Sequence, residues 1–133
     1  MKRLAIIALT VVAVAAATAC TEVTTTKNIT ELSDTNTTLT VKTGTLLRYT
    51  AGEHNSVGIF SEYAISNEGP VTLIENKQVY LQPERIKQGS LGADEAKRIY
   101  TLQAKEKGTS IVTFRQNYRG KIESEVKFTI TVE

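Results

Sequence analysis

The sequence contains few side chains that could exchange protons or attack a substrate. It has one cysteine, Cys20, and one histidine, His54, which lies in a polar segment. A Ser/His/Asp arrangement is formally possible with Ser56 and Asp94, but no serine has the Gly-x-Ser-x-Gly surroundings of a nucleophile elbow. A lone histidine in a polar loop is more often solvated than catalytic. We therefore predict that the protein is not an enzyme and needs no cofactor.

Paired acidic residues offer a second kind of chemistry, as calcium ligands or as the two carboxylates of a glycosidase. The pairs are Asp94 with Glu95 and Glu123 with Glu125. Their surroundings predict a polar loop for the first pair and the solvent face of a strand for the second. A single cysteine also excludes an internal disulfide and a cysteine-based metal cluster. We therefore predict no metal site.

The charge balance argues against nucleic acid as a partner. The 133 residues carry a formal net charge of +2, but two of the 16 basic residues, Lys2 and Arg3, belong to an N-terminal export signal. The remaining 14 basic residues balance 14 acidic ones, so the mature chain is neutral. A neutral chain lacks the positive field that binds phosphate backbones or anionic membranes. Basic and aromatic side chains at one predicted hairpin tip therefore favour a protein contact: Arg115, Tyr118, Arg119 and Lys121.

The first 19 residues are typical of a secretory signal peptide. A charged start is followed by an apolar stretch from Leu4 to Ala16, which is shorter than the ~20 residues that span a bilayer. The next segment, Ala17-Thr18-Ala19-Cys20, resembles the bacterial lipobox, in which the cysteine thiol is acylated. This resemblance implies that Cys20 carries a lipid that anchors the protein to a membrane. The alternative is ordinary signal cleavage that leaves a free, oxidisable thiol.

The anchor implies an address in the cell envelope. Position 21 is Thr rather than Asp, and by analogy with lipoprotein sorting this predicts the outer membrane if the organism is Gram-negative. Residues 20–36 are rich in Thr and have no sustained apolar period, which predicts a flexible tether. Residues 37–133 then form one domain, and this length suffices for a β-sandwich core without disulfides.

Nearly every apolar segment after residue 37 is short and typical of a strand, and none keeps a helical period. Alternation is clear from Val126 to Val132, and from Arg98 to Ala104, where Tyr100, Leu102 and Ala104 are predicted to face the core. The pattern predicts an all-β fold, an Ig-like antiparallel β-sandwich of about seven to eight strands. We expect a monomer. The other candidate strands are Thr38–Val41, Thr45–Tyr49, Ile59–Ile65, Val71–Ile74, Val79–Leu81 and Thr109–Phe114, with Glu75–Gln78 as a hairpin connection.

Several later segments occur in a telling order: Ser90-Leu91-Gly92-Ala93, the strand Ile99–Ala104, Gly108-Thr109, a strand with Phe114, a charged hairpin, and Lys127–Val132. In this order and spacing, from roughly Thr43 to Glu133, the chain resembles the chagasin-type inhibitors of papain-like cysteine peptidases. The resemblance implies an Ig-like sandwich in which three loops at one end plug the peptidase's active-site cleft.

The three loops that this resemblance assigns differ from the family's motifs. The family's Asn-Pro-Thr-Thr-Gly loop corresponds to Asn55-Ser56-Val57-Gly58, which is one residue shorter. It has no Thr, the family residue that approaches the peptidase's catalytic groups. The family's Gly-Ala-Gly-Gly loop corresponds here to Gly92-Ala93-Asp94-Glu95. Two acids therefore replace glycines, and they add charge at a place where the backbone must approach the peptidase closely. The family's Arg-Pro-Trp motif corresponds by spacing to Tyr118-Arg119-Gly120. The predicted peptidase-binding residues are loop 1 (Asn55, Ser56, Val57, Gly58), loop 2 (Leu91, Gly92, Ala93, Asp94, Glu95) and loop 3 (Asn117, Tyr118, Arg119, Gly120).

Two other functions fit the same scaffold. An Ig-like envelope lipoprotein could serve in adhesion or envelope assembly without inhibiting anything. An inhibitor of lysozyme or another envelope hydrolase is a third possibility, although no cysteine pair or acidic loop motif typical of lysozyme inhibitors stands out.

Overall fold

The computed structural model describes residues 28–133, so the signal peptide, Cys20 and the first part of the predicted tether lie outside the described residues. Within this range the chain forms strands, one short helix and one 3-10 turn. The elements are β1 (Ile29–Glu31), β2 (Thr38–Val41), β3 (Leu46–His54), the 3-10 turn (Asn55–Val57), β4 (Ile59–Ser66), β5 (Val71–Tyr80), α1 (Pro83–Lys87), β6 (Glu95–Ala104), β7 (Gly108–Tyr118) and β8 (Lys121–Val132).

The strands form one mixed sheet that folds into two layers. One layer has the order β1-β3-β6-β5 and the other the order β2-β8-β7-β4. The layers join where β3 pairs with β4, with His54 opposite Ile59. The all-β, Ig-like sandwich predicted from the sequence is confirmed, with one modification. β1 runs parallel to β3 and β2 runs parallel to β8, because the chain crosses from one layer to the other between Leu32 and Thr38.

Aromatic rings from both layers form the centre of the core. Tyr49 of β3 stacks on Phe114 of β7 with ring centroids 4.0 Å apart, and Phe128 of β8 meets both rings edge-on. Tyr100 of β6 lies against Phe114 at 5.1 Å. Offset and edge-to-face contacts suit the charge distribution of aromatic rings. The alternation predicted for β6 and β8 is confirmed, because its inward members are buried: Tyr100, Leu102, Ala104, Phe128, Ile130 and Val132.

The predicted hairpin between Val71–Ile74 and Val79–Leu81 is wrong. Residues Val71–Tyr80 form one strand that pairs with β6 along its length. β5 lies at the edge of its layer, so most of its side chains from Ile74 onwards are exposed and polar residues are tolerated there. A bulge between Leu73 and Glu75 shifts the register and breaks the alternating pattern.

The predicted start of the domain at residue 37 is too late. Ile29–Glu31 pairs with Leu46–Arg48 of β3, and Leu32 belongs to the buried core. The side chains of Arg48 and Glu31 form an ion pair across these two strands. The last part of the predicted tether is therefore part of the sandwich, because even a short strand can pair with the edge of β3.

The strands β3, β7 and β8 run further toward the predicted loops than the sequence indicated. β3 continues to His54, β7 continues to Tyr118, and β8 begins at Lys121. The segment between β5 and β6 also contains the unpredicted helix α1, which has Pro at its first turn, where no backbone N–H is needed. No helix within residues 28–133 is long and apolar enough to cross a membrane.

Candidate functional site

Loop 1 is a tight 3-10 turn that requires glycine at its end. The N–H of Gly58 donates to the carbonyl oxygens of His54 (3.1 Å) and Asn55 (3.0 Å), which closes the turn. Gly58 has φ of 88°, in the left-handed region. A Cβ at this position would lie 3.2 Å from Cγ of Arg119. Gly58 therefore serves both the turn and the close approach of loop 3.

Loop 3 is the tip of the β7–β8 hairpin. Tyr118 pairs with Lys121, which leaves Arg119 and Gly120 as a two-residue turn with φ of 49° and 81°. Two positive φ values are typical of the type I′ turn, which matches the twist of a hairpin. The N–H of Arg119 donates to the carbonyl oxygen of Gly58 at 2.9 Å. This bond fixes loop 3 against loop 1.

Loop 3 also presents a basic and an aromatic group together. The guanidinium carbon of Arg119 lies 5.2 Å from the centroid of the Tyr118 ring, within the range of a cation–π contact. Both side chains are exposed. Arg115, which the sequence placed at the same tip, instead lies along the strand. Its Nε donates to Glu125 at 2.5 Å, and this hydrogen bond lowers the pKa of the Glu125 carboxyl.

Loop 2 follows α1 and leads into β6. Its first residue, Leu91, is 97% exposed, which is unusual for an apolar side chain of this size. Gly92 follows with φ of 70°, and Ala93 is buried beneath the turn. Within residues 28–133 the non-glycine residues with positive φ are Asn67 and Arg119. Asp94 and Glu95 therefore adopt backbone conformations that do not need glycine.

Asp94 joins loop 2 to loop 1. Its Oδ2 accepts a hydrogen bond from the backbone N–H of Ser56 at 2.7 Å, and its Oδ1 accepts one from the Ser56 hydroxyl at 2.6 Å. These bonds, chiefly the one from the hydroxyl, lower the pKa of the Asp94 carboxyl. His54 Nε2 lies 3.2 Å from Oδ1, without the alignment of a hydrogen bond and shielded from solvent.

The structure thus brings all three predicted loops to one end of the sandwich. Asp94 connects loop 2 to loop 1, and Arg119 connects loop 3 to loop 1. The strand registers also place the bases of the three loops side by side. His54 lies opposite both Glu95 and Ile59, and Ile59 lies opposite Tyr118. Both carboxylate oxygens of Asp94 are hydrogen-bonded within the molecule, because they accept bonds from the N–H and the hydroxyl of Ser56.

Ser56, His54 and Asp94 meet in an order that does not activate a nucleophile. In a catalytic triad the histidine lies between the serine and the acid, where it accepts the hydroxyl proton. Here the carboxylate of Asp94 lies between the other two, and the Ser56 hydroxyl donates directly to it. The arrangement holds loops together rather than preparing an attack.

A buried ion pair beneath the loops was missed at the sequence level. Glu53, whose side chain is 2% exposed, forms a two-point contact with Arg98 at 3.1 and 3.0 Å. Its oxygens also accept hydrogen bonds from the Ser61 N–H and the Gln78 amide. The hydrogen bond to Glu53 raises the pKa of Arg98, so the guanidinium stays charged. These contacts tie β3, β4, β5 and β6 together just below loop 1.

Two hollows lie at the sides of the sandwich rather than at the loop end. One, of about 200 Å³, lies between β3 and the β7–β8 pair and is lined by residues such as Ala51 and Gln116. The other, about 330 Å³, is lined in part by Tyr63 and Arg98. Neither includes a residue of the three loops. In the part of the chain that the structure describes, no group of three acidic, His or Cys side chains could hold a metal ion.

Comparison with known proteins gives a fold match. No family model matches the chain, and no curated protein matches it in sequence. The crystal structure of the cysteine protease inhibitor EhICP2 from Entamoeba histolytica matches with a TM-score of 0.60 and 14% identity, covering 80% of this chain and 95% of that chain. The chain has this fold. The solution structure of amebosin also matches, with a TM-score of 0.57, 11% identity, and coverage of 80% of this chain and 98% of that chain. The fold that the chagasin-type resemblance implied is confirmed.

Proposed function

We propose that the protein inhibits papain-like cysteine peptidases by inserting loops 1, 2 and 3 into the active-site cleft. The observation that carries the proposal is the meeting of the three loops at one end, through the bonds of Asp94 to Ser56 and of Arg119 to Gly58. EhICP2, which shares the fold, is a cysteine protease inhibitor. No covalent step is required, because a filled cleft excludes substrate.

The loop end has the properties that a tight protein contact needs. Interface energy concentrates in a few side chains, most often Trp, Tyr and Arg. Tyr118 and Arg119 supply such groups, and Leu91 adds apolar area that a pocket of the peptidase would bury. All three side chains are exposed in the free protein. Ordering a mobile side chain on binding costs about 0.5–1.5 kcal/mol. Loops that are already tied to one another avoid part of that cost.

The experiment is an inhibition titration. The full chain, purified in detergent, is added to a fixed concentration of papain, and residual peptidase activity is measured. We expect activity to fall to an end point at one inhibitor per enzyme. Trypsin, a serine peptidase titrated in parallel, controls for non-specific effects and should stay active. Absence of inhibition at micromolar concentration would contradict the proposal and favour the adhesion or envelope-assembly function.

We further propose that Cys20 carries a lipid and holds the inhibitor at the cell envelope, in the outer membrane if the organism is Gram-negative. The proposal is supported by the signal-like residues 1–19 and the lipobox-like segment that ends at Cys20. Mass spectrometry of the mature N-terminus tests it. We expect an N-terminal Cys20 with the added mass of acyl chains, and a peptide that begins with unmodified Cys20 would contradict the anchor.

A further inference from the structure

The bond between Asp94 and Ser56 acts where the strand pairing ends. The β3–β6 ladder fixes the bases of loops 1 and 2, since its last pair is His54 with Glu95. Ser56 lies two residues beyond that pair, in the exposed 3-10 turn. The backbone bonds that close the turn use the N–H of Gly58. The N–H of Ser56 instead donates to a side chain from another loop, 38 positions away in the chain.

Asp94 provides a cap that loop 1 lacks locally. The residue before the 3-10 turn, His54, makes no side-chain capping bond. First-turn N–H groups of a helical segment have no partner within the segment and are commonly satisfied by Asp or Ser oxygens. The carboxylate of Asp94 does this from loop 2 and also accepts the Ser56 hydroxyl. Charge-assisted bonds of this kind are stronger than neutral ones.

We propose that Asp94 is a positioning residue for peptidase binding: its carboxylate holds loop 1 against loop 2 so that both meet the peptidase in one preset arrangement. This inference rests on the proposed inhibitory function. Asp94 acts through Ser56 and need not contact the peptidase itself. The acid that replaces a glycine of the chagasin-type motif thereby gains a role that a glycine could not fill.

The role has a kinetic signature. When only a fraction of a protein has the competent conformation, the apparent affinity falls by that fraction. Loss of the Asp94 carboxylate should therefore reduce the association rate, while the assembled complex dissociates at nearly its normal rate. Loss of a direct contact with the peptidase would instead speed dissociation.

The experiment compares Asp94→Ala, Ser56→Ala and the double variant in the full chain. Glu68→Ala serves as the matched control, because it removes one exposed negative charge at the opposite end of the sandwich. The first measurement needs no peptidase: amide hydrogen exchange at Ser56 in the free protein. We expect Asp94→Ala to speed exchange there about tenfold, with exchange along the β3–β6 ladder unchanged. Unchanged exchange at Ser56 would overturn the proposal.

The second measurement is the rate of association with papain and dissociation from it. We expect Asp94→Ala to slow association about tenfold and to change dissociation less than about twofold, with Glu68→Ala like the parent. The double variant should be no worse than Asp94→Ala, since both changes break one interaction. Faster dissociation, or unchanged rates, would overturn the positioning role alone. Failure of the parent chain to bind papain, with Ser56 still protected, would overturn the proposed function together with this role.

Discussion

Two carboxylates at the same end of the sandwich are used in opposite ways. Glu53 is buried below loop 1 and makes hydrogen bonds to Arg98, Ser61 and Gln78. Asp94 is partly exposed above it and bonds to Ser56 of the neighbouring loop. The first connects four strands of the scaffold, and the second connects two loops. The difference indicates that stability and loop arrangement depend on separate groups, although both groups lie at the same end of β3 and β6.

The largest effect should come from Glu53→Gln. The amide nitrogen of the new glutamine cannot accept a hydrogen bond, so one of the two hydrogen bonds that Arg98 donates to residue 53 is lost. The mostly buried guanidinium also loses the negative charge that balances it. Breaking such a pair costs several kcal/mol, and we expect a loss of about 3 kcal/mol in the free energy of unfolding, measured by urea denaturation. Glu62→Gln, an exposed carboxylate on β4, is the control and should change stability by less than about 0.5 kcal/mol. An equal effect of the two variants would mean that the buried pair does not support the scaffold.

Removal of an exposed anchor should affect binding and leave the scaffold intact. We expect Leu91→Ala and Tyr118→Ala each to weaken papain binding by about 2 kcal/mol, which is roughly 30-fold in Kd. The unfolding free energy of Leu91→Ala should stay at the parent value, because the side chain is exposed in the free protein. Inhibition assays give the first quantity and urea denaturation gives the second. A change of less than half this size in Kd would show that the chosen residue is not an anchor.

Gly58→Ala should affect both the stability of the scaffold and the arrangement of the loops. The added Cβ meets a positive φ and approaches Arg119 Cγ at 3.2 Å. We expect a stability loss of about 1 kcal/mol, the usual cost of a left-handed non-glycine residue, and weaker papain binding as loop 3 shifts. Gly44→Ala is the matched control, because it shares the positive φ but has open space around the new Cβ. If Gly58→Ala and Gly44→Ala weakened papain binding equally, the contact between Gly58 and Arg119 would not be the cause of the loss.

The smallest effect should be that of pH on the Asp94 bond. The folded-state pKa of Asp94 lies below its usual value, chiefly because of the Ser56 hydroxyl. A lowered pKa means that the bond is fully present above the ordinary value of about 3.9 and is lost as pH falls through the folded value. The titratable group that faces the Asp94 carboxylate is His54, and Glu95 is its neighbour in the chain. We expect protection of the Ser56 amide, corrected for intrinsic exchange, to stay constant from about pH 7 to 5 and to fall below about pH 4. Loss of protection already between pH 7 and 5 would contradict control by the Asp94 carboxylate.

Much of the fold could be predicted because alternation is a local signal. In the C-terminal halves of β6 and β8 the inward residues Tyr100, Leu102, Ala104, Phe128, Ile130 and Val132 are buried, so the period of two was readable there and these residues were identified correctly. β5 lost this signal because it is an edge strand with a bulge. β1 is too short to show any period and is recognisable only by its pairing with β3.

The contacts that arrange the loops could not be read from the sequence. The pairs Glu53 with Arg98 and Ser56 with Asp94 are 45 and 38 positions apart, so they depend on strand order and register. One signal was available for Glu53. The inward alternation Leu47, Tyr49, Ala51 continues to it, which indicates a buried charge in need of a partner. No comparable pattern marks Asp94.

The most direct test of the account is amide hydrogen exchange of the full chain with and without papain. We predict slower exchange in the complex at residues 55–58, 91–95 and 117–120. The turns at residues 67–70 and 105–107, at the opposite end, should exchange at the same rate in both samples. Slower exchange at that opposite end or along the edge strand β5, with the three loops unaffected, would contradict the claim that the loop end is the inhibitory surface.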